Sequence, residues 1–223
     1  MKKIAKSVVV RVLAWQVKRL RNKKQFKIVA IAGSIGKTST KFAVAAVLKK
    51  HMRVRFQEGN YNDIVSAPLV FFGLTMPSLL NPFAWIVTFW RIELQLHGSY
   101  PWDVVILEVG TDGPGQIGAF STYLGADIGI LTAVAPEHME YFSDLQAVAQ
   151  EELHIQDLVH KLFINIDLVG AEYISGVQMP HITYAIKTAA DYQMTNVNYG
   201  NGAYSFAVKH AGSALLSGSH SAL

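Results

Sequence analysis

The sequence predicts an α/β fold: a mostly parallel sheet covered by helices on both faces, a glycine-rich loop after its first strand, and a small antiparallel hairpin near the C-terminus. Three observations carry this. Short apolar, β-branched runs alternate with stretches of helical spacing from Lys27 to Ala185. The glycines of Gly33–Ser39 stand between the first such run and the first such helix. From about Tyr192 the pattern changes to polar-alternating runs separated by Gly200-Asn201-Gly202.

Residues 1–25 are the first element. Lys2 and Lys3 followed by Ser7–Trp15 have the outline of a secretion signal, but Arg11 interrupts the apolar stretch, no small-residue cleavage pattern follows, and Lys18–Lys24 is strongly basic. The segment reads as a helix whose apolar residues do not form one clean face. Two placements stay open: packed against the domain, or lying on a membrane surface as a peripheral contact. Lys27–Ala32 (KIVAIA) reads as a buried strand, and Lys37–Lys50 as a helix with Phe42, Ala46 and Val47 on one side. Ile64–Trp90 is 27 residues without a charge, long enough to cross a bilayer. Pro68, Pro77 and Pro82, with Ser78 and Asn81 between the last two, divide it into two short buried helices, Val65–Leu74 and Pro82–Leu96. Trp85, Phe89 and Trp90 are candidates for an exposed apolar patch.

Asp103–Val109 (DVVILEV) is the second strand, Pro114–Leu124 a helix, Asp127–Val134 (DIGILTAV) the third strand and Ser143–Val159 a helix. Lys161–Ile166 (KLFINI) and His181–Ala185 complete the parallel set. Tyr192–Val197 and Tyr204–Val208 form the hairpin.

Composition narrows the function. The 223 residues suffice for one large domain, and about half are hydrophobic. The absence of cysteine excludes a disulfide framework, a thiol nucleophile and a cysteine-ligated zinc site. Ten of the twenty Lys and Arg residues lie in the first 27 positions, and the first acidic residue is Glu58. Beyond position 27, ten basic residues face sixteen acidic ones. Confinement of the basic residues to the leader, without a stacking aromatic series, argues against nucleic-acid binding.

Gly33-Ser34-Ile35-Gly36-Lys37-Thr38-Ser39 carries the clearest chemistry. Backbone N–H groups at a helix N-terminus bind polyphosphate, and the helix dipole favours negative charge there. Lys37 would reach the β- and γ-phosphates of ATP, and the Thr38 hydroxyl would take a place on Mg²⁺. Ile31 stands where the widest form of the motif has its first glycine, so the strict pattern fails. The strand–loop–helix context is what separates this loop from an ordinary glycine turn.

Gly33–Lys41 (GSIGKTSTK) resembles the Mur ligase family, whose loops have a shorter glycine spacing than the general motif. Leu107–Ile117 (LEVGTDGPGQI) is similar to the family's L-E-x-G-x-x-x-x-G-[ED]-I segment, which implies Glu108 as a Mg²⁺ ligand; Gln116 replaces the usual acid. Thr132–Phe142 (TAVAPEHMEYF) resembles the segment holding a metal-associated histidine, here His138, although histidine is not a usual Mg²⁺ ligand. Gly59–Pro68 (GNYNDIVSAP) resembles N-x-N-N-x-x-G-x-P, which faces the acceptor substrate; it singles out Asn60 and Asn62, with Asp63 and Ser66 as departures. This segment is closest to the branch of the family that adds D-alanyl-D-alanine to the cell-wall precursor.

The resemblance covers about residues 26–223 and implies a central ATP-binding domain preceded by a basic helix over residues 1–25. It implies an ATP- and Mg²⁺-dependent ligase that activates a carboxylate as an acyl phosphate for attack by an amine; the alternatives are another member of the superfamily, of the folylpolyglutamate- or cyanophycin-synthetase kind, and a non-catalytic nucleotide-binding protein associated with a membrane. The substrate is then a small molecule or peptidoglycan precursor, and the location cytoplasmic, with the inner membrane face open as a placement. The family often has a carbamylated lysine on the helix after the histidine. No lysine occurs between Ser143 and His160, so Glu152, or less readily Glu151, is the expected substitute, with a solvated helix face as the alternative. Leu216–Leu223 resembles the start of the family's G-x-H-N-x-x-N segment, so a truncated chain with negligible ligase activity alone is expected.

Overall fold

The computed structural model describes residues 2–59, 61–200 and 203–221. Helix α1 spans Lys2–Lys23, strand β1 Lys27–Ala32 and helix α2 Lys37–Leu48. A two-residue strand β2 (Val54–Arg55) precedes helices α3 (Ala67–Phe72) and α4 (Pro82–His97). Strand β3 (Val104–Glu108), helix α5 (Gln116–Ala119), strand β4 (Ile128–Leu131), helix α6 (Leu145–Leu153) and strand β5 (Leu162–Asn165) follow. Helix α7 (Ala171–Ile174) leads to β6 (His181–Ala185), β7 (Tyr192–Gly200), β8 (Ala203–His210) and β9 (Ser213–Ser221).

Among the described residues one sheet contains all nine strands, in the order β2-β3-β1-β4-β5-β6-β7-β8-β9. The strands from β2 to β7 in that order run parallel, and β8 runs antiparallel to both of its neighbours, β7 and β9. A parallel strand covered on both faces needs a continuous apolar run, and β1 and β3 supply it: Ile28–Ala32 and all of β3 are buried. Strand β1 lies between β3 and β4, so the chain reverses its direction of travel across the sheet at β1. Such a switch opens a crevice beyond the strand carboxyl ends.

The expected hairpin is a three-stranded meander. It joins the parallel sheet through Tyr184↔Tyr192, and β9 adds its outer edge. Strand β9 (SALLSGSHS) has no apolar alternation that would announce it. Of the expected turn, Asn201 and Gly202 lie outside the described residues.

Helix α1 has a cleaner inner face than the wheel suggests. Val9, Leu13, Gln16, Val17 and Leu20 are buried along one stripe. Gln16 disguises the pattern because its amide hydrogen donates to Phe89 O (3.4 Å) and Glu93 Oε1 (3.3 Å) on α4. The side expected for α2 is also turned outward: Phe42 and Val47 are exposed, and the helix buries Lys41 and Ala45 instead.

The uncharged stretch does divide at its prolines. All six residues of α3 are buried, and it ends on Gly73 at φ 60°. Helix α4 starts with Asn81 accepting from the Ala84 N–H (3.0 Å) and with Pro82 in its first turn. Of the three aromatics suggested as an exposed patch, only Trp90 is exposed; Trp85 is buried with its Nε1–H on Ser78 O, and Phe89 is half-buried. Among the described residues no helix is long and apolar enough to cross a membrane.

Asp167, just after β5, accepts backbone N–H bonds from Ile186 (2.7 Å), Lys187 (2.9 Å) and Thr188 (2.9 Å), tying down the turn after β6. Burial works against its charge, but these N–H groups outweigh it and hold the carboxyl down at about 2. A depressed folded-state pKa contributes stability that is present above the unfolded value of ~3.9 and lost as pH falls through about 2. Asp167→Asn is expected to lower the melting temperature at pH 7 by about 2–4 °C, for a loss of about 1 kcal/mol after solvent screening. The difference from wild type should shrink sharply in thermal melts at pH 2, where the carboxyl is becoming protonated; an equal difference at both pH values would refute this role.

Candidate nucleotide site at the strand ends

The loop after β1 rests directly on the exit of β4. Gly33 has φ 124°, and a Cβ there would lie 2.3 Å from Thr132 Oγ1 and 2.8 Å from Ala133 N. Thr132 Oγ1 donates within reach of Ala32 O (3.0 Å) and Ile35 O (2.7 Å), while the Ser34 N–H donates to Ala133 O (3.0 Å). Ser34 Oγ accepts from the Ala135 N–H (3.1 Å). Gly36, at φ 89°, enters α2 without a side-chain cap. The first N–H groups of α2 therefore face the loop unclaimed by any capping side chain.

Lys37 folds back so that its Nζ donates to Gly33 O, and it lies 3.8 Å from Glu137 Oε2. Thr38 Oγ1 donates to Glu108 Oε2 (3.2 Å) at the end of β3. The other Glu108 oxygen pairs with Lys41 Nζ at 2.7 Å, and Lys41 Nζ also donates to Gln57 O (2.8 Å). Both side chains of that ion pair are almost wholly buried. Ile35 and Ser39 face solvent at the rim.

Helix α6 resolves the two adjacent glutamates. Glu151 accepts from the Gly115 N–H (2.7 Å) and the Ile117 N–H (2.7 Å), capping the start of α5. Glu152 is fully buried and points the other way, accepting from the Gly33 N–H at 2.6 Å. Burial pushes its carboxyl well up, the adjoining Glu137 carboxyl pushes it further, and Lys37 and the Gly33 N–H pull back. Glu137 Oε1 and Glu152 Oε1 are buried and make no hydrogen bond.

His138 has a left-handed backbone (φ 49°), and its Nε2 lies 3.6 Å from Asp112 Oδ1. The expected trio of Thr38, Glu108 and His138 is thus assembled in part: Thr38 meets Glu108, whereas His138 pairs with Asp112. Among the described residues, no group of three His, Asp or Glu side chains converges to hold a metal ion by itself. Asn62 O accepts from the Gly110 N–H (2.8 Å), and a Cβ on Gly110 would meet Asn62 Nδ2 at 2.7 Å. Asn62 lines a cleft of about 550 Å³ with Lys6, Asp63, Asp112 and Gln116. Asn60 lies outside the described residues. Asp63, the departure beside Asn62, holds the entry to α3 by accepting from the Val65 N–H (2.7 Å) and Ser66 Oγ (2.6 Å).

Sequence reasoning assigned no role to Lys41, Glu137 or Thr132. Lys41 had a local signal, since it lies one helical turn beyond Lys37. Glu137 adjoins His138, but nothing local distinguishes its buried carboxylate from an exposed one.

Comparison with known proteins places these features in a family. A model of the Mur ligase middle domain matches residues 92–221. A UDP-N-acetylmuramoyl-tripeptide–D-alanyl-D-alanine ligase of Borreliella burgdorferi is 26% identical over 221 residues, covering 96% of this chain and 42% of the relative. Its counterpart in Bacillus subtilis is 24% identical over 185 residues, covering 82% of this chain and 35% of the relative. The chain therefore spans well under half the length of these curated relatives. Among solved structures, MurF ligase of Thermotoga maritima in complex with ADP superposes with a TM-score of 0.74 at 19% identity, over 96% of this chain and 44% of that one. MurF of Acinetobacter baumannii gives 0.70 at 15% identity, over 93% and 40%.

Removing one partner of a buried ion pair strands the other charge. Lys41→Met is expected to cost about 3–5 kcal/mol, a fall in melting temperature of roughly 10 °C. Adding Glu108→Leu should recover part of that loss. A single variant as stable as wild type in calorimetry would show that Lys41 does not compensate Glu108.

Proposed function

The chain belongs to the Mur ligase middle-domain family, and we propose that it forms the ATP-handling part of a carboxylate–amine ligase. On this reading residues 26–223 are the central ATP-binding domain and residues 1–25 a basic helix beside it. One observation carries the proposal: the loop Gly33–Ser39, Glu108 at the end of β3 and Glu152 on α6 meet through Thr38–Glu108 and Gly33–Glu152 hydrogen bonds.

The residues suit a nucleoside triphosphate with Mg²⁺. Thr38, Glu108 and Glu152 offer hydroxyl and carboxylate oxygens, the donors Mg²⁺ prefers. The buried free oxygens of Glu137 and Glu152 are acceptors awaiting a cationic or protonic partner. Bound there, Mg²⁺ would neutralise phosphate charge. The N–H groups from Gly33 to Ser39 would hold the phosphate chain, and Lys37 would leave Gly33 O for the terminal phosphate. Glu152 would take the place of the family's carbamylated lysine, a fixed carboxylate in place of one made by CO₂ addition. His138, opposite Asp112, would sit at the edge of the phosphate site.

The terminal phosphoryl group would pass to a substrate carboxylate. The amine would then attack the acyl phosphate, and inorganic phosphate would leave. The cleft lined by Lys6, Asn62 and Gln116 is the place we assign to the carboxylate substrate. Relatives named for UDP-N-acetylmuramoyl-tripeptide and D-alanyl-D-alanine make a peptidoglycan precursor the expected substrate class. On this reading the reaction takes place in the cytoplasm, where ATP is available.

Calorimetric titration of the purified chain with Mg·ATP tests the nucleotide reading. Lys37→Ala should weaken binding by roughly 30- to 100-fold, the loss of a charge-assisted contact; a wild-type chain that does not bind Mg·ATP would end the proposal. In a complete enzyme, Glu152→Gln should lower turnover by at least about 10- to 100-fold, whereas Glu151→Gln should lower thermal stability and spare turnover. Unchanged turnover in the Glu152 variant would remove that residue from the site.

A further inference from the structure

We propose that α1 and α4 together form a docking face for an anionic lipid bilayer, holding the protein at a membrane surface without spanning it. Helix α4 is amphipathic in the wrong sense for a helix whose outer face meets water. Its outward side carries Phe83 (78% exposed), Ile86 (63%), Val87 (47%), Trp90 (61%) and Leu94 (53%). These lie at spacings of three and four, so they form one stripe along the helix. The inward side is filled independently by Trp85, Ile92 and Leu96, so the outer stripe is not needed to hold α4 in place.

Helix α1 continues this surface. Ile4 (71% exposed), Val8 (54%) and Trp15 (54%) share its outer stripe with Arg11 and Lys18. The helices meet at a seam where Gln16 and Arg19 donate to Glu93. Arg19 also lies over the Trp15 ring, 4.3 Å from its centroid. Trp90 is one turn before Glu93, so the two exposed tryptophans flank the seam on adjoining helices.

Charge selects the occupant. No acidic residue precedes Glu58, and half of all Lys and Arg residues lie within the first 27 positions. The one acidic residue of α4, Glu93, is already paired with Arg19. An apolar stripe flanked by cations with no free carboxylate matches a surface that is apolar below and anionic above. Long basic side chains keep their charge at headgroup level while the stripe enters the acyl boundary. Contiguous exposed apolar area of this kind marks an interaction face rather than ordinary surface.

The test uses the full chain and vesicles, without nucleotide, so that it is independent of ATP binding. The chain should float with vesicles of phosphatidylcholine containing about one third phosphatidylglycerol, and not with pure phosphatidylcholine. Tryptophan emission should shift to the blue on binding and be quenched by brominated acyl chains. Phe83→Ser with Trp90→Ser, and separately Arg11→Glu with Lys18→Glu, should each weaken association at least tenfold while melting temperature and Mg·ATP affinity stay at wild-type values. Failure to float with anionic vesicles would overturn the proposal. So would a wild-type dimer in sedimentation equilibrium that the Phe83/Trp90 variant dissociates, because the stripe would then be an interface between two copies.

Discussion

The loop after β1 can exist in this form only because position 33 has no side chain. Thr132 Oγ1 and the Ala133 backbone occupy the space a Cβ would need, and the Gly33 N–H is turned toward Glu152. That close approach joins the end of β4 and the helix α6 to the loop. It brings α2 to the crevice where β1 separates β3 from β4. The fold and the candidate site therefore share one constraint, since the contact that seats the loop also gathers the chemistry-bearing groups.

The charges of those groups are unevenly compensated. Glu108 is met by Lys41 and Thr38, whereas Glu152 has one backbone N–H and the adjoining Glu137. Burial raises the Glu152 carboxyl because a charge there loses water without gaining a full counter-charge. Lys37 is held by a carbonyl of its own loop, a contact a phosphate would replace with a stronger one. Unmet acceptors beside a lysine held by a loop carbonyl are what the proposed metal–triphosphate ligand, which carries both signs, would require.

Much of the organisation was legible from sequence. The strands β1 and β6 have the expected bounds, and β3, β4 and β5 lie inside theirs, because buried parallel strands announce themselves as apolar runs. Two expected helices are shorter: α5 gives way to a 3₁₀ turn at Phe120–Thr122 and α6 to one at His154–Leu158. The inner face of α1 was hidden by Gln16, a polar residue whose partners are 73 and 77 positions away. Strand β2 is two residues long, and β9 is too polar for any pattern of alternation.

Neighbours along the chain are enough to specify the strand–loop–helix of Gly33–Thr38 and to put Glu108 at a strand end. Contacts between distant segments were needed to turn Glu152 rather than Glu151 toward the loop, to bury Lys41 against Glu108 and to set His138 opposite Asp112. It also decided that Trp90 faces outward while Trp85 is enclosed. For the helical residues among these the cause is shared. Adjacent residues on a helix point about 100° apart, so which of two neighbours is buried depends on what the rest of the chain brings to each side, and in Glu152 that is a backbone N–H 119 positions away.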